Sequence, residues 1–287
     1  MNQPRLLKGR PVVIEKREEI KAQIATLKQK GITPHLKIFR IEGQKACQSY
    51  SRAAQKVMQA VGGIASEDLF PADVTEAEFL KAVAQRCDEK DIHGIIIMQP
   101  LPPHIDRQKV ADLLPPLKDV DGMTTLNLGR VTENNDKAMF PSTARAVMEI
   151  LDHYAIDVRG LDVCVIGKST SVGKPLILLL MNRDATVISC HKATRQLKKY
   201  TKTADVIISA TGVVDLITKD HLKPGAIVID VGYNMKDDKI VGDVSFDEVA
   251  TAASVITPVP GGVGSVTTTA LVEQVVRGCT LQMEECK

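Results

Sequence analysis

The alternation of apolar and polar positions divides the chain into segments of helical and of strand period. Ile20, Ile24 and Leu27 recur on one face of residues 10–35, and that pattern ends at Gly31 with Pro34 just beyond, which predicts a helix. HLKIFRI (35–41) predicts a short strand, and residues 50–61 a helix stopped by Gly62-Gly63. GIIIM (94–98) predicts a buried strand ended by the proline-rich QPLPP. Residues 114–140 read as loop, and Pro141 opens STARAVMEILDHY, a helix placed to connect two domains.

The second half is punctuated more sharply. LDVCVIG (161–167) predicts a strand entering a Gly/Ser turn, with the helix VGKPLILLLM (172–181) after it. TVISC (186–190), DVIISA (205–210) and GAIVIDVG (225–232) predict three further buried strands. A basic helix is expected around 195–200 and a short one around 219–222. VITPVP (255–260) reads as a last strand, leading through GGVG to a terminal helix over about 267–277. Repeated strand–helix units of this size imply an α/β fold with a doubly wound parallel sheet.

Composition narrows the function. The 287 residues suit two domains or one large one, and 44% hydrophobic with 25% charged residues is ordinary for a chain with a sizeable core. Lys and Arg number 37 against 35 Asp and Glu, a net charge of +2, which leaves no electrostatic footprint for nucleic acid or an anionic membrane. Trp is absent and Phe and Tyr are few, so a base-stacking platform is not expected either. Cys47, Cys87, Cys164, Cys190, Cys279 and Cys286 are scattered with no C-x-x-C pair, which predicts neither a disulfide framework nor a metal site. His93, His104 and His191 are isolated and read as structural or surface residues. The N-terminus lacks an apolar signal core and the longest apolar run, 176–181, is too short to span a bilayer, so a reduced, cytoplasmic protein is expected.

The sharpest local signal is Gly167-Lys168-Ser169-Thr170-Ser171-Val172-Gly173-Lys174-Pro175, where a strand ends and a helix begins. A pyrophosphate can meet backbone N–H groups and a helix N-terminus at such a place. The G-x-G-x-x-G fingerprint and the P-loop spacing are both unmatched, so the motif alone fits a plain glycine-containing turn equally well. The next strand ends Ser189-Cys190-His191-Lys192 with Arg195 nearby and no carboxylate for a ribose 2′-hydroxyl. Cations there suit a 2′-phosphate, so NADP is expected over NAD; the alternative is a solvated helix start.

Taken in order, G-K-S-T-S-V-G-K-P, Ser-Ala-Thr-Gly (209–212), V-I-D-V-G-Y-N (228–234), V-G-D-V (241–244) and I-T-P-V-P-G-G-V-G (256–264) resemble the methylenetetrahydrofolate dehydrogenase/methenyltetrahydrofolate cyclohydrolase family. Leu6-Leu7, Tyr50, the IHG strand, Lys118-Asp119-Val120-Asp121-Gly122 and Asn127-x-Gly129 agree with it, so the resemblance covers nearly the whole chain. It implies an NADP-binding Rossmann domain over 141–267. A smaller α/β substrate domain over 1–140 would be joined by the terminal helix 268–287, with the active site in the cleft between. It also implies a homodimer acting on a tetrahydrofolate derivative. Carried over by position, Gly167, Lys168, Ser169, Lys192, Thr211, Gly212 and Tyr233 would line the cofactor site. Tyr50 would stack on the pterin, Asp121 would hydrogen-bond its N–H edge, and Pro260-Gly261-Gly262-Val263-Gly264 would close the cleft.

Three positions depart from the family pattern. Its catalytic lysine lies four residues after the tyrosine, where this chain has Ala54, and Lys56 is turned roughly 200° away on a helix. The supporting glutamine falls on Met98, unless a one-residue slip brought in Gln99. Ser265-Val266 stand where the family has Pro-Met. Oxidation of a methylene bridge needs mainly orientation, whereas hydrolysis of a methenyl bridge needs an acid/base group in reach. The expectation is a dehydrogenase with weak or absent cyclohydrolase, which Ala54→Lys would partly restore. Two other readings fit the same residues: an oxidoreductase of another C–N bond, such as an imine, and a catalytically idle ligand-binding homologue.

Overall fold

The computed structural model describes residues 4–285, so Cys286 lies outside the described residues, as do the first three and last two positions of the expected substrate domain. Along the chain run β1 (Arg5–Leu6), α1 (Gly9–Gln29), β2 (His35–Ile41), α2 (Lys45–Ala60), β3 (Ile64–Phe70), α3 (Glu76–Cys87) and β4 (Gly94–Ile97). Then come α4 (Arg107–Leu113), α5 (Thr125–Thr132), α6 (Ser142–His153), β5 (Asp162–Ile166), α7 (Gly173–Met181), β6 (Thr186–Cys190), α8 (Leu197–Thr201), β7 (Val206–Ser209) and β8 (Ile227–Asp230). The hairpin β9 (Asn234–Lys236) and β10 (Lys239–Val241), α9 (Phe246–Val249), β11 (Val255–Ile256) and α10 (Thr267–Glu285) complete it.

Two compact units of similar length form, one from residues up to Ile14 with Thr143–Thr267, the other from Glu15–Ser142 with the segment from Thr268 on. The nucleotide-type unit carries a six-stranded sheet of order β1-β11-β8-β7-β5-β6, every pair parallel. Its first residues correct the expected boundary. Arg5 and Leu6 pair with Val255 and Ile256, Leu7 is buried, and so the N-terminal strand belongs here and not to the folate-type unit. The central strands read as continuous apolar runs because both faces are covered. TVISC is an exception: as β6, at the sheet edge, it is only partly buried.

The folate-type unit has a smaller, three-stranded parallel sheet of order β3-β2-β4. Strand alternation sends Leu36, Ile38, Ile96 and Met98 to one face, where they pack with Ile20, Ile24 and Leu27 of α1 and Leu271, Val272, Val275 and Cys279 of α10. Phe39, Ile41, Ile95 and Ile97 fill the other face with Phe79, Val83 and Val110. Helix α10 is longer than expected and is stapled here. Gln282 donates to the carbonyls of His93 and Leu117, and Gly278 lets the Leu117 carbonyl approach, since a Cβ would come within 2.4 Å of it.

Segment 114–140, expected to be loop, contains α5, and VITPVP shortens to β11 before the cis peptide Val259–Pro260. The helices expected at 195–200 and 219–222 are α8 and a 3-10 turn over Lys219–His221. Among the described residues no helix is long and apolar enough to cross a membrane, and no group of three His, Cys, Asp or Glu could hold a metal.

Candidate active site

In the nucleotide-type unit the sheet order reverses between β5 and β7, the place where open α/β sheets bind ligands beyond their carboxyl ends. Ile166 pairs with Ser209 there, and the Ala210 N–H donates to the Ile166 carbonyl at 2.8 Å. The turn after β5 and the Ser-Ala-Thr-Gly segment after β7 are thereby brought together.

The turn is built by two glycines. Gly167 has φ +126°, and a Cβ on it would sit 2.3 Å from the Ala210 carbonyl oxygen; one on Gly173 would sit 2.1 Å from the Gly167 carbonyl oxygen. Ser169 Oγ accepts from Val172 N at 3.2 Å and Gly173 N at 3.4 Å, so it ties the turn to the start of α7. Lys168 and Ser169 are exposed. The two glycines let the turn close backbone on backbone, and it leaves Lys168 and Ser169 exposed at the start of α7, where a phosphate-bearing group can meet a helix N-terminus. At the end of β6, Lys192 and Arg195 are exposed and the buried Cys190 lies beneath them in sequence. Thr211 is partly buried, Gly212 is exposed with φ +70°, and Tyr233 is 63% exposed. In the Pro260–Gly264 segment, Gly261 has φ +103° and its carbonyl accepts from Gly9 N at 2.8 Å. Ser265 donates to the Gly262 carbonyl at 2.7 Å and closes the 3-10 turn Val263–Ser265 where the family pattern has proline.

In the folate-type unit, Tyr50 lies on α2, partly buried against the apolar cluster that contains Ala54 and Met98. Ala54 is fully buried, one helical turn beyond Tyr50. Lys56 is exposed, off that face. Strand β4 keeps its register: Met98 N donates to the Phe39 carbonyl at 2.9 Å and the Met98 side chain joins the Ile96 face. Gln99 is exposed, and its carbonyl accepts from Cys47 Sγ at 3.2 Å. No slip brings the Gln99 side chain into the place of Met98.

Asp121 is held by the start of α6. Its Oδ1 accepts from Ser142 N at 3.0 Å and Ser142 Oγ at 2.7 Å. Burial pushes its carboxyl above the ordinary carboxylate value, against the pull of the two Ser142 donors. The loop that presents it is organised by Asp119, which accepts from Met123 N, Thr124 N and Asn127 Nδ2, each at 2.9 Å. Buried Lys118 donates to the Cys87 and Glu89 carbonyls at the end of α3, and burial lowers its ammonium pKa. Gly122 (φ +56°) turns the chain where a Cβ would meet the Met139 carbonyl at 2.7 Å. Ser142 bears no motif and is invisible to sequence reading. Asp119, Asp230 and Asp243 stand inside matched motifs, but only their hydrogen bonds reveal what they do.

Two family models divide the chain between them. Residues 7–121 match the catalytic domain, and residues 141–283 the NAD(P)-binding domain, of tetrahydrofolate dehydrogenase/cyclohydrolase. The chain belongs to the tetrahydrofolate dehydrogenase/cyclohydrolase family. It is 41% identical over 283 residues to the bifunctional protein FolD of Nautilia profundicola, covering 98% of this chain and 99% of that one. It is likewise 41% identical over 266 residues to FolD of Dictyoglomus thermophilum, 93% and 94% of the two chains. The FolD crystal structure from Campylobacter jejuni superposes with a TM-score of 0.94 at 37% identity, covering 96% of this chain and 99% of that one. The Trypanosoma brucei enzyme, solved with NADP and an inhibitor, gives 0.94 at 33% identity over 99% of both chains. Within this family, the six-stranded unit is the NAD(P)-binding domain and the three-stranded unit carries the catalytic-domain match.

Proposed function

We propose that this member of the family runs one of the family's two reactions, the oxidation of 5,10-methylenetetrahydrofolate to the 5,10-methenyl form. The protein is an NADP-dependent oxidoreductase of the methylenetetrahydrofolate dehydrogenase type. Bound NADP⁺ supplies the hydride acceptor, and the cation that remains on the folate is shared by two nitrogens. Gly167, Lys168 and Ser169 hold the phosphates, Lys192 meets the 2′-phosphate, and Thr211, Gly212 and Tyr233 complete the cofactor site. Tyr50 stacks on the pterin, and Asp121 accepts from its N–H edge through the oxygen that Ser142 leaves open. Pro260, Gly261, Gly262, Val263 and Gly264 border the substrate.

The observation that carries the loss of the hydrolase is the company Ala54 keeps. The positions corresponding to the family's lysine and glutamine are Ala54 and Met98, and both belong to one buried apolar cluster against which Tyr50 packs. Water attack on the methenyl bridge needs proton transfer, and neither Ala54 nor Met98 carries a side chain able to perform it. Purified protein given 5,10-methylenetetrahydrofolate and NADP⁺ should form NADPH and methenyl cation together, the cation then decaying only at its spontaneous rate. Absence of NADPH despite measurable cofactor binding would refute the dehydrogenase. Faster-than-spontaneous decay would refute the lost hydrolase.

The working form is a homodimer, as the family resemblance implies, and its scattered cysteines without a C-x-x-C pair suit a reducing, cytoplasmic setting. The outer edge of β3 supports a two-chain assembly: within the described residues it pairs only with β2, and Ile64 and Leu69 on it are about half exposed.

A further inference from the structure

Two carboxylates of the nucleotide-type unit stand behind the candidate cofactor site with no part in the chemistry above. Asp243 is fully buried, just after β10, and Asp230 is 3% exposed at the end of β8. Asp230 Oδ1 accepts from Gly232 N at 2.9 Å and Asp243 N at 3.0 Å, while its Oδ2 accepts from Val244 N at 3.0 Å. Asp230 N donates in turn to Thr257 Oγ1 at 2.7 Å. Asp230 therefore fixes the backbone that carries Asp243.

Asp243 spends its carboxylate on the segment after β7. Its Oδ2 accepts from Ser209 Oγ at 2.9 Å, Thr211 N at 2.7 Å and Thr211 Oγ1 at 2.9 Å. Its Oδ1 accepts from Asn234 Nδ2 at 3.0 Å, the residue that follows Tyr233. The approach is close enough to exclude side chains. A Cβ on Gly242 would lie 1.8 Å from Asp230 Oδ2, and one on Gly232 would lie 2.3 Å from Asp243 Oδ1. Glycine is required at both places so that the two carboxylates can interlock with each other's backbone.

This arrangement changes what Thr211 can offer. A hydroxyl has one proton, and that of Thr211 goes to Asp243 while its lone pair accepts from Val213 N at 3.2 Å. The side chain is an anchor turned inward. What faces outward is the turn itself, at exposed Gly212 with φ +70°.

We propose that Asp243 is a positioning residue for cofactor binding: it grips Thr211 by both N–H and hydroxyl so that the Thr211–Gly212 backbone, and not the threonine hydroxyl, meets NADP. Charge-assisted hydrogen bonds of this kind are the stronger ones, and three on one oxygen hold a three-residue segment in a single geometry. A preset turn spares the cofactor the entropy of ordering it. The inference rests on the placement of Thr211 and Gly212 in the cofactor site.

The test compares Thr211→Val, Thr211→Ser and Asp243→Asn in the full chain. It measures the NADP⁺ dissociation constant by calorimetry, kcat at saturating cofactor, KM for methylenetetrahydrofolate, Tm, and hydrogen exchange over residues 209–213 with and without NADP⁺. Thr211→Val, which removes one hydroxyl donor to the carboxylate, should weaken NADP⁺ about fivefold, and Asp243→Asn, which removes the charge from every bond the carboxylate accepts, about tenfold or more. Thr211→Ser, which keeps a hydroxyl donor to Asp243, should lose less NADP⁺ affinity than Thr211→Val, and in Thr211→Val and Asp243→Asn the loss of NADP⁺ affinity should exceed any change in kcat or in the folate KM. Equal losses in kcat and both substrates, tracking a lowered Tm, would make Asp243 a structural anchor only and overturn the inference. So would unchanged NADP⁺ binding in Thr211→Val while NADP⁺ slows exchange over 209–213 in the natural chain. If NADP⁺ leaves that exchange untouched, the placement of the turn itself is wrong, and the inference falls with it. Should Asp243→Asn not fold, the threonine pair still decides.

Discussion

The proposed loss of the hydrolase turns on what alanine at position 54 leaves out. A lysine there would bring an ammonium to the face that carries Tyr50, but into a cluster closed by Val57, Met58 and Met98. Burying an unpaired cation is costly, so Ala54→Lys alone is expected to gain little methenyl hydrolysis, not the partial restoration expected from the sequence, and to lose about 1–3 kcal/mol of stability. With Met98→Gln beside it, the amide can pair with the lysine, and hydrolysis should rise by more than the two single effects combined. Methenyl decay measured for both single variants and the double gives the cycle; additive behaviour would mean the two positions are not coupled. Asp121 carries a second residue-level prediction. Because burial raises its pKa, it protonates at a higher pH than an ordinary carboxyl and then loses an acceptor for the pterin N–H edge. The folate KM should therefore climb as pH falls through that raised value, and Asp121→Asn should show a high, pH-independent KM over the same range. An acid limb that persists in Asp121→Asn would assign it to another group.

At the scale of elements, the turn from β5 to α7 is the least forgiving part of the site. Gly173→Ala would drive a methyl group into the Gly167 carbonyl, a backbone atom that cannot rotate away. It should raise the NADP⁺ KM at least about tenfold, with a modest fall in Tm, while the folate unit's local hydrogen exchange stays unchanged. Normal cofactor binding in that variant would remove the turn from the site. The same scale explains what could be read from the sequence. Strands β5, β7 and β8 announce themselves as unbroken apolar runs, since both faces are covered. Strand β3 does not: IASEDLF puts Glu67 and Asp68 in mid-strand, where they pair with Arg40 and Lys37 of β2. Polar residues satisfied across a sheet erase the alternation that marks a strand. Helix α3 has a legible start, the Thr75/Glu78 capping box. Helix α5 hides behind Gly129 and a buried Asn127 whose amide is matched to Asp119. The site divides the same way. Gly167 and its turn are local and visible, Asp121 emerges only through family resemblance, and Ser142 needs a hydrogen bond spanning 21 residues.

The whole molecule is two units, each assembled from two separate stretches of one chain. The N-terminal residues complete the six-stranded sheet, and the C-terminal helix completes the other unit's core. Neither unit is a contiguous stretch of sequence, which is why a boundary drawn at residue 140 assigned the first strand to the wrong one. The proposed homodimer is a property of this scale. Sedimentation equilibrium should return twice the chain mass at micromolar concentration, and Leu69→Lys on the exposed edge of β3 should shift it toward the single chain. A monomeric natural protein would end that proposal, and a dimer indifferent to the substitution would move the interface elsewhere.

On the proposed loss of the hydrolase, the shared burial of Ala54 and Met98 also gives the site a history with a preferred direction. A lineage drifting back toward hydrolysis must change both positions, and either change alone places a polar group in a mostly aliphatic cluster. Selection sees a less stable protein at the halfway point and little added turnover. Acquiring a separate hydrolase for the methenyl product asks nothing of this fold. Descendants of this chain should therefore keep the alanine and the methionine together, and a relative carrying only one of the two ancestral-type residues should be rare.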